Sequence, residues 1–261
     1  MSGGAGKRRI ELDDGVYLVD LAVYLAEPNA LIIADPHLGY EAALTREGLL
    51  LPKGHLDRVL ERLTRILKAL TQARKRPATI VINGDLKHQH GPISPEERSE
   101  ALKFIDFLQE RSQKVVIIKG NHDMQLNELV AAQEQVQAQA QVEVNEAVTL
   151  DGFWIVHGHV LPEDLPGSAE TIIIGHEHPA LSLRDPITGR TEIYKCFLKG
   201  KFRNRTLVVQ PSFNLLVKGS NLAQEHVISP FINESRLAQF EVYPISDDGH
   251  IYRFGRLAEL V

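Results

Sequence analysis

The chain has 261 residues, of which 43% are hydrophobic and 24% are charged, a composition typical of a soluble globular protein that can bury a sizeable core. A formal net charge of −5 and a pI near 6.1 exclude a globally basic surface, so a nucleic acid would have to be held by a local patch or by metal ions. Cys196 is the one cysteine, which excludes an internal disulfide framework. No segment approaches the ~20 apolar residues of a spanning helix or has the form of a secretory leader, and we expect a soluble, cytoplasmic protein.

The first third of the chain predicts short strands followed by one long helix. Val16 to Val19, Ala22 to Leu25 and Ala30 to Ala34 are short apolar runs separated by turn residues, as in strands. From Lys53 to Ala73, leucine, valine and isoleucine recur at helical spacing, with charged residues on the other face. Thr79 to Ile82 predicts the next strand.

The middle of the chain continues to alternate helices and strands. The run Ser94-Pro95-Glu96-Glu97 predicts a helix start, because serine caps, proline suits the first position and Glu97 can close a capping box. Val115 to Ile118 predicts a buried strand. Gln125 to Val144 is rich in Gln and Ala, and we predict helix in its first half and strand at its end.

The later elements run from strand to strand. Val148 to Leu150 and Phe153 to Val156 predict a hairpin closed by Asp-Gly, and Thr171 to Ile174 predicts another buried strand. Thr188-Gly189 and Asp248-Gly249 predict two more hairpin turns. This order favours a layered α/β sandwich with two central sheets and outer helices. We expect a single domain over residues 1–261, with a small appended C-terminal element from about residue 225.

Side chains that bind metals or transfer protons follow five of the predicted buried strands. The five endings are Asp35-Pro36-His37, Gly84-Asp85, Gly120-Asn121-His122-Asp123, His157-Gly158-His159 and Gly175-His176-Glu177-His178. Six of the 11 histidines lie in these endings. Because ligands collect at the carboxyl ends of strands in layered α/β proteins, we expect the five endings to form one site.

The chemistry of this set predicts a pair of metal ions. Asp, Asn and His without thiolate suit manganese, iron or zinc rather than a structural zinc site rich in cysteine. Seven candidate ligands exceed the three or four that one ion takes from a protein, whereas two ions sharing a carboxylate would use them all. Two-metal sites, with the ions about 3.5–4 Å apart, are a common means of hydrolysing phosphate esters.

These motifs resemble the calcineurin-like metallophosphoesterase superfamily, whose signature is D-x-H, GD, GNH, an isolated H and GHxH in that order. The stretches ADPHLGYE, GDLKH and QPSFN, with the Arg46…Gly48…Leu51-Pro52 pattern, are similar to the SbcD-related archaeal phosphoesterases and the DNA ligase-associated (PdeM-like) group. The resemblance implies a four-layer αββα sandwich of two mixed sheets flanked by helices.

The resemblance also implies roles for the site residues. Asp35, His37, Asp85 and His178 would hold one ion, and Asp85, Asn121, His157 and His176 the other. A water or hydroxide bridging the two ions would attack phosphorus, and His122 would stabilise or protonate the leaving oxygen. Asp123 would orient His122 or cap the next helix. Manganese is the favoured metal, with iron, zinc or nickel as alternatives.

Several residues keep two interpretations. His159 competes with His157 as a ligand, although the family pattern favours His157. Arg46 could grip a phosphate or could be a solvated loop residue, and His88 could contact substrate or pack at the surface. The alternating cluster Lys199, Lys201, Arg203 and Arg205 could touch a polyanion, but a solvated edge is the favoured account.

The function predicted from this set is a metal-dependent phosphodiesterase or nuclease acting on DNA, in a repair setting. A phosphomonoesterase or a cyclic-nucleotide phosphodiesterase is the first alternative, and a non-catalytic scaffold is the second, because a fold alone does not choose among them. A helicase or ligase of DNA repair could be a partner. We expect no membrane association, and the sequence does not indicate an oligomeric state.

Overall fold

The computed structural model describes residues 6–49, 53–72, 76–134, 141–184, 188–222, 224 and 226–260. Two mixed β-sheets form the centre of the molecule, and helices flank them. This is the α/β sandwich that the sequence predicts.

Sheet I consists of seven strands whose spatial order follows the chain. They are β1 (Arg9–Asp13), β2 (Val16–Val19), β3 (Ala22–Leu25), β4 (Ala30–Ala34), β5 (Thr79–Asn83), β6 (Lys114–Ile118) and β7 (Gln141–Asn145). Neighbours are antiparallel from β1 to β4 and parallel from β4 to β7. The parallel strands are nearly continuous apolar runs, as expected for strands covered on both faces.

Sheet II consists of eight strands in an order that departs from the chain. They are β8 (Ala147–Leu150), β9 (Phe153–Val156), β10 (Thr171–Ile174), β11 (Pro179–Arg184), β12 (Thr191–Phe202), β13 (Arg205–Val209), β14 (Ser220–Asn221) and β15 (Glu241–Pro244). The order is β14-β11-β12-β13-β10-β9-β8, and β15 pairs with β12. β10 is parallel to both β9 and β13, so the carboxyl ends of β9 and β10 lie side by side.

Five α-helices and two short 3₁₀ turns complete the described elements. They are α1 (Tyr40–Arg46), α2 (His55–Gln72), α3 (Pro95–Gln109), α4 (Leu126–Glu134) and α5 (Pro230–Asn233), with the turns at Leu237–Gln239 and Leu257–Glu259. The predicted capping box of α3 is confirmed: Ser94 Oγ accepts a 3.2 Å hydrogen bond from Glu97 N, and Ser94 N donates to Glu97 Oε2 at 2.9 Å. None of the described helices combines the length and apolar character needed to cross a bilayer.

Successive side chains of a strand point to opposite faces of the sheet, so the apolar side chains of sheet II pack into two different cores. On β10, Ile173 packs into the core between the sheets, while Ile172 and Ile174 face the outer core. Trp154 of β9 and Phe231 of α5 belong to that outer core, with ring centroids 6.1 Å apart. Both faces of sheet II are therefore covered, which holds its strand ends in place.

A polar seam joins the two sheets directly beneath the strand ends. Asn83 and Gln210 are fully buried, and Gln210 Nε2 donates to Ile32 O at 3.1 Å. Asn83 Nδ2 lies 3.5 Å from both Gln210 Oε1 and Ile173 O. The seam ties the ends of β4, β5 and β10 together, and these strands lead into the motif loops.

Most of the predicted elements are confirmed. The strand predictions from Val16 to Ala34 and at Thr171 to Ile174 match the observed bounds. The long helix begins at His55 rather than Lys53, and Ala73 lies outside the described residues. The ambiguous segment from Gln125 contains α4 and then β7, while residues 135–140 lie outside the described part.

Some elements were not predicted. The sequence did not predict β1, α1, β13, β14 or α5. Of the 12-residue strand β12 it predicted only the preceding hairpin turn at Thr188-Gly189, on either side of which β11 and β12 pair antiparallel. Near the C-terminus, Ile245 and Ile251 form an antiparallel bridge around the predicted Asp-Gly turn, and β15 joins sheet II. The division into one domain with an appended C-terminal element stays a prediction.

Candidate metal centre

The five motif loops come together at one edge of the sandwich. The loops after β4, β5 and β6 leave sheet I at the carboxyl ends of neighbouring parallel strands, and the loops after β9 and β10 leave sheet II in the same way. The two sets face each other across a cavity of about 330 Å³. Its lining includes the predicted residues His37, Asp85, Asn121, His122, His176 and His178.

The carboxylate of Asp85 occupies the centre of the site. Its Oδ2 lies 3.7 Å from His37 Nε2, 3.8 Å from His122 Nε2 and 3.5 Å from His157 Nε2. Its Oδ1 accepts a 3.0 Å hydrogen bond from the backbone N–H of His122. One oxygen is thus fixed by the loop after β6, and the other faces imidazoles from both sheets.

The remaining candidate ligand atoms form two groups on either side of Asp85. On one side His178 Nε2 lies 3.4 Å from both His37 Nε2 and Asp35 Oδ2. On the other side Asn121 Oδ1 lies 3.1 Å from His157 Nε2, and the His176 ring is 4.9 Å from the His157 ring. Two ligands bound to one ion at about 2.1 Å and a tetrahedral angle would be about 3.4 Å apart, so these spacings fit metal coordination.

The donor set fits divalent cations. Asp85, His157 and His176 place one ligand atom each within 4.8 Å of one another, and so do His37, His88 and His122. The second trio offers His88 as an alternative ligand. His37 Nδ1 is buried without a hydrogen bond, and Asp35 Oδ1 is buried without one although His157 Nδ1 lies 3.3 Å away, a costly arrangement that a cation would compensate. His157 is a member of the trio that contains Asp85. His178 is in neither trio, but its Nε2 lies 3.4 Å from His37 Nε2.

Burial sets the protonation states of the site in the absence of a cation. It raises the pKa of Asp85 to about 9, with the Asp35 charge adding to the effect, and it also raises the pKa of Asp35. Burial lowers the pKa of His178 to about 3 and that of His176 to about 4. The imidazoles are therefore neutral and able to bind a metal. A bound cation would supply the positive charge that keeps the carboxyl groups of Asp35 and Asp85 ionised.

Backbone strain concentrates on the candidate ligands. Five of them have left-handed backbone angles, with φ between 45° and 64°: Asp35, His37, Asp85, His176 and His178. Non-glycine residues rarely adopt such angles, and they persist where the surroundings enforce them, often at functional sites. The strain directs side chains from tight loops into a common cavity.

The glycines of the motifs provide room for the ligands. A Cβ on Gly84 would overlap the His157 ring, and one on Gly120 would overlap the carboxylate of Asp85. A Cβ on Gly175 would lie 2.6 Å from Asp35 Oδ2. In each case a glycine from one loop allows a ligand from another loop to approach the backbone closely.

Asp123 ties two of the loops together. Its carboxylate accepts hydrogen bonds from Gly120 N at 2.9 Å, Leu86 N at 3.2 Å and Lys87 N at 3.3 Å. The sequence predicts that Asp123 orients His122 or caps α4. Among the described contacts, its carboxylate bonds neither the His122 ring nor α4, and instead it fixes the loop after β5 against the loop after β6.

Among the described residues, three imidazole rings surround that of His122: His90 at 3.6 Å between centroids, His37 at 5.0 Å and His88 at 5.7 Å. Its Nδ1 faces the backbone oxygen of His88 at hydrogen-bond distance, which leaves Nε2 directed at the cavity. Tyr40 packs against the His88 ring, with centroids 4.1 Å apart. The sequence assigned no role to His90 or to Tyr40, although Tyr40 lies in the stretch ADPHLGYE.

The other candidates lie outside this centre. Arg46 is exposed in the last turn of α1 and does not line the cavity. The His159 ring is 5.1 Å from that of His157 and 6.0 Å from that of His176, so it adjoins the candidate ligands. The basic cluster of the β12–β13 hairpin makes local contacts: Lys199 pairs with Asp13, and Arg203 with Glu234.

Comparison with known proteins identifies the family. The family profile described as Calcineurin-like phosphoesterase matches residues 28–182, and the chain belongs to this family. Among solved structures, the chain is similar to the Pseudomonas putida nuclease MPE, with a TM-score of 0.61 and 22% sequence identity over 94% of this chain and 98% of that one. No curated protein matches the chain. The family implies a hydrolase of phosphoester bonds that depends on two metal ions, and the likeness to MPE shows a shared fold.

Proposed function

We propose that this protein is a dinuclear metal-dependent phosphodiesterase that cleaves DNA. The observation that carries the proposal is the central position of Asp85 Oδ2, which lies within 3.8 Å of imidazoles on both sheets. A carboxylate in this position can be shared between two cations. Asp35, His37 and His178 would complete one set of ligands, and Asn121, His157 and His176 the other.

When bound, two such ions supply a water nucleophile that is active at neutral pH and positive charge for the phosphoryl oxygens. Manganese is the favoured metal, because the site offers oxygen and imidazole ligands without a thiolate. The protein's own residues fix the geometry. His122 donates from Nδ1 to the His88 carbonyl and presents Nε2 to the cavity. Nε2 carries a proton for the leaving oxygen only in the imidazolium form, so an anionic phosphate beside the ring would have to offset the burial that lowers its pKa to about 4.

Two observations support a diester substrate over a monoester. The similar solved structure is that of a nuclease, and the cavity extends past the ligands to Val217, Ser220 and Ile228. An open cleft of this kind can accommodate the two ester groups of a strand. We place the enzyme in DNA repair and in the cytoplasm, with a repair ligase or helicase as a partner.

The test compares substrates with the manganese-loaded protein. We expect cleavage of labelled single-stranded or duplex DNA and of bis(4-nitrophenyl) phosphate, and slower hydrolysis of 4-nitrophenyl phosphate. Hydrolysis of monoesters alone would overturn the nuclease assignment in favour of a phosphomonoesterase. Cleavage of cyclic nucleotides without cleavage of DNA would favour the small-diester alternative.

A His122→Ala variant tests the assigned proton donor. We expect DNA cleavage to fall about 100-fold while both ions stay bound, because general acid catalysis contributes about 10²–10⁴-fold. The exposed His226 provides the matched control, since His226→Ala removes an imidazole outside the cavity. Loss of bound metal in His122→Ala would instead make His122 a ligand.

A further inference from the structure

A second pocket, of about 240 Å³, adjoins the metal centre. We call it the cationic pocket, because its described lining contains three cations, Arg62, Lys195 and Lys218, against one carboxylate, Asp247. Val217 lines both this pocket and the metal cavity, so the two spaces meet at this residue. The pocket is larger than the volume of about 30 Å³ that one water occupies in the liquid.

Two of the three cations in the cationic pocket are already neutralised. Arg62 donates from Nε and Nη2 to Asp20 Oδ1, at 2.8 and 2.6 Å, and both side chains are largely buried. Lys218 Nζ lies 2.8 Å from Asp247 Oδ1 in a more exposed pair. These two pairs leave Lys195 as the pocket cation without a carboxylate in ion-pair contact among the described residues, although the more distant charge of Asp35 attracts it.

Lys195 is buried, with a relative exposure of 8%, and pairs with no carboxylate of the described residues. Its Nζ donates to the backbone oxygen of Ser212 at 2.9 Å, although an ammonium group has three donors. Burial lowers the pKa of Lys195 to about 7, and the neighbouring charge of Arg62 adds to this effect. A buried ammonium beside an open pocket is stabilised by an anion that accepts its remaining hydrogen bonds.

The contacts of Lys195 also connect it to the metal centre. Ser212, whose carbonyl it contacts, donates from Oγ to the backbone oxygen of Asp35 at 2.8 Å. Ser212 therefore links Lys195 to the backbone of Asp35, a candidate ligand. A polynucleotide has phosphates at regular intervals, and because Val217 lines both spaces, the pocket is a candidate position for the neighbour of a phosphate at the metal centre.

We propose that the cationic pocket binds the phosphate next to the scissile one in the substrate strand, with Lys195 as its buried ligand and Lys218 as a second ligand that exchanges Asp247 for the phosphate. This inference rests on the proposed function, and it adds a residue-level reason for preferring a strand to an isolated ester. The basic cluster of the β12–β13 hairpin offers no equivalent of the buried Lys195, because Lys199 and Arg203 are paired with Asp13 and Glu234, and Arg205 donates to Pro166 O.

The experiment measures binding of a fluorescent single-stranded oligonucleotide to metal-free protein in EDTA. The variants are Lys195→Met and Lys218→Met, and the matched control is Lys201→Met. Lys201 lies on the same strand as Lys195, about 20 Å away by strand rise, and its Nζ bonds Thr206 Oγ1. Because Lys218 is half-exposed, its variant provides a test even if Lys195→Met fails to fold.

We expect Kd to rise about tenfold in both pocket variants, as for one lost charge-assisted hydrogen bond. The slope of log K against log salt should fall by about 0.7 for each lost phosphate contact on a single strand. With manganese, the ratio of oligonucleotide to bis(4-nitrophenyl) phosphate hydrolysis should fall as well, because the aryl diester has no second phosphate. Lys201→Met should match the wild type in all three measurements.

Each contrary outcome has a distinct meaning. If the wild type cleaves DNA and the pocket variants behave like Lys201→Met, the pocket assignment is wrong and the proposed function stands. If inorganic phosphate raises the melting temperature of the wild type but not of Lys218→Met, while oligonucleotide binding is unchanged, the pocket is a free-phosphate site and the assignment is also wrong. If the wild type neither binds nor cleaves DNA, both proposals fail.

Discussion

The two sheets deliver candidate ligands of different chemistry to the same cavity. The loops of sheet I supply two carboxylates, an amide and one imidazole to this set, namely Asp35, Asp85, Asn121 and His37. The loops of sheet II supply three imidazoles to it, His157, His176 and His178. Negative charge that can offset divalent cations therefore comes from sheet I, whereas sheet II contributes neutral ligands that complete the geometry. Losing a ligand from sheet I should for this reason cost more than losing one from sheet II.

Asp85→Asn is the strongest test of this difference. The change removes the charge at the centre of the site but keeps the shape of the side chain. We expect activity to fall by about 10³-fold, corresponding to the loss of about 4 kcal/mol of transition-state stabilisation. The measurements are hydrolysis of bis(4-nitrophenyl) phosphate and metal content by elemental analysis.

The control for Asp85→Asn is Asp164→Asn, which removes a charge from an exposed position. If Asp85→Asn retained two ions and full activity, Asp85 could not be the shared ligand. The assignment of two ions to the site would then lose its main support.

A ligand from sheet II should show a smaller effect, and the pair His157 and His159 allows a matched comparison. His157 is fully buried and lies 3.1 Å from Asn121 Oδ1, while the His159 ring lies 5.1 Å from the His157 ring. We expect His157→Ala to weaken metal binding about 100-fold and His159→Ala to change it less than tenfold, as for a residue outside the coordination shell. Manganese titration followed by calorimetry measures both affinities.

If His159→Ala weakened metal binding more than His157→Ala, His159 would be the ligand and the preference for His157 would be wrong. The assignment of Asp85 as the shared ligand would not be affected.

The difference between the sheets also explains what the sequence could predict. In sheet I neighbouring strands are consecutive in the chain, and Ala30–Ala34, Thr79–Asn83 and Lys114–Ile118 are apolar runs that end in motifs. Local patterns were enough to place them. In sheet II, β13 pairs with β10, β14 with β11 and β15 with β12, so these three pairings join strands that are not consecutive in the chain.

The residues of the site also divide into those that the sequence predicts and those that it does not. The candidate ligands were predictable because metal coordination requires particular residue types, and these follow directly after the strands. The positions of His90 and Lys195 were not, since they depend on loop paths and on the pairing of β12, and Tyr40 had no assigned role although it lies in the stretch ADPHLGYE. The contacts of Asp123 were missed for a similar reason: its carboxylate accepts hydrogen bonds from backbone N–H groups of the loop after β5 as well as from Gly120 of its own loop.

The polar seam tests whether the two sheets act as one unit. Gln210 of sheet II donates to Ile32 O of sheet I, and both groups are buried. Gln210→Ala removes this buried hydrogen bond together with the Oε1 that Asn83 Nδ2 faces at 3.5 Å, so we expect the free energy of unfolding to fall by about 1–3 kcal/mol. Urea denaturation of the metal-free protein measures the change.

The exposed Gln239→Ala provides the control for the seam, and it should leave the free energy of unfolding within about 0.5 kcal/mol of the wild type. A change at Gln210 no larger than this would mean that the seam hydrogen bond adds nothing to the cohesion of the two sheets.

The smallest expected effect concerns His55, which begins α2 beside sheet I and is 1% exposed. Burial lowers its pKa from 6.5 to about 4, and the charge of Arg58 adds to this effect. The unfolded chain therefore binds a proton between these two values that the folded chain does not bind. Folded-state stability is unaffected above the unfolded pKa and decreases as the pH falls below it.

Between about pH 7.5 and about pH 5.5 this single group should cost about 1 kcal/mol of stability in the metal-free protein. The neutral imidazoles of both sheets add to the same acid sensitivity, so the measurement is the difference between wild type and His55→Gln, not the absolute slope. His226→Ala is the control, because its imidazole is exposed. If His55→Gln lost stability with acid as steeply as the wild type, the acid sensitivity would come from the metal centre, and His55 would titrate in the folded protein as it does in the unfolded chain.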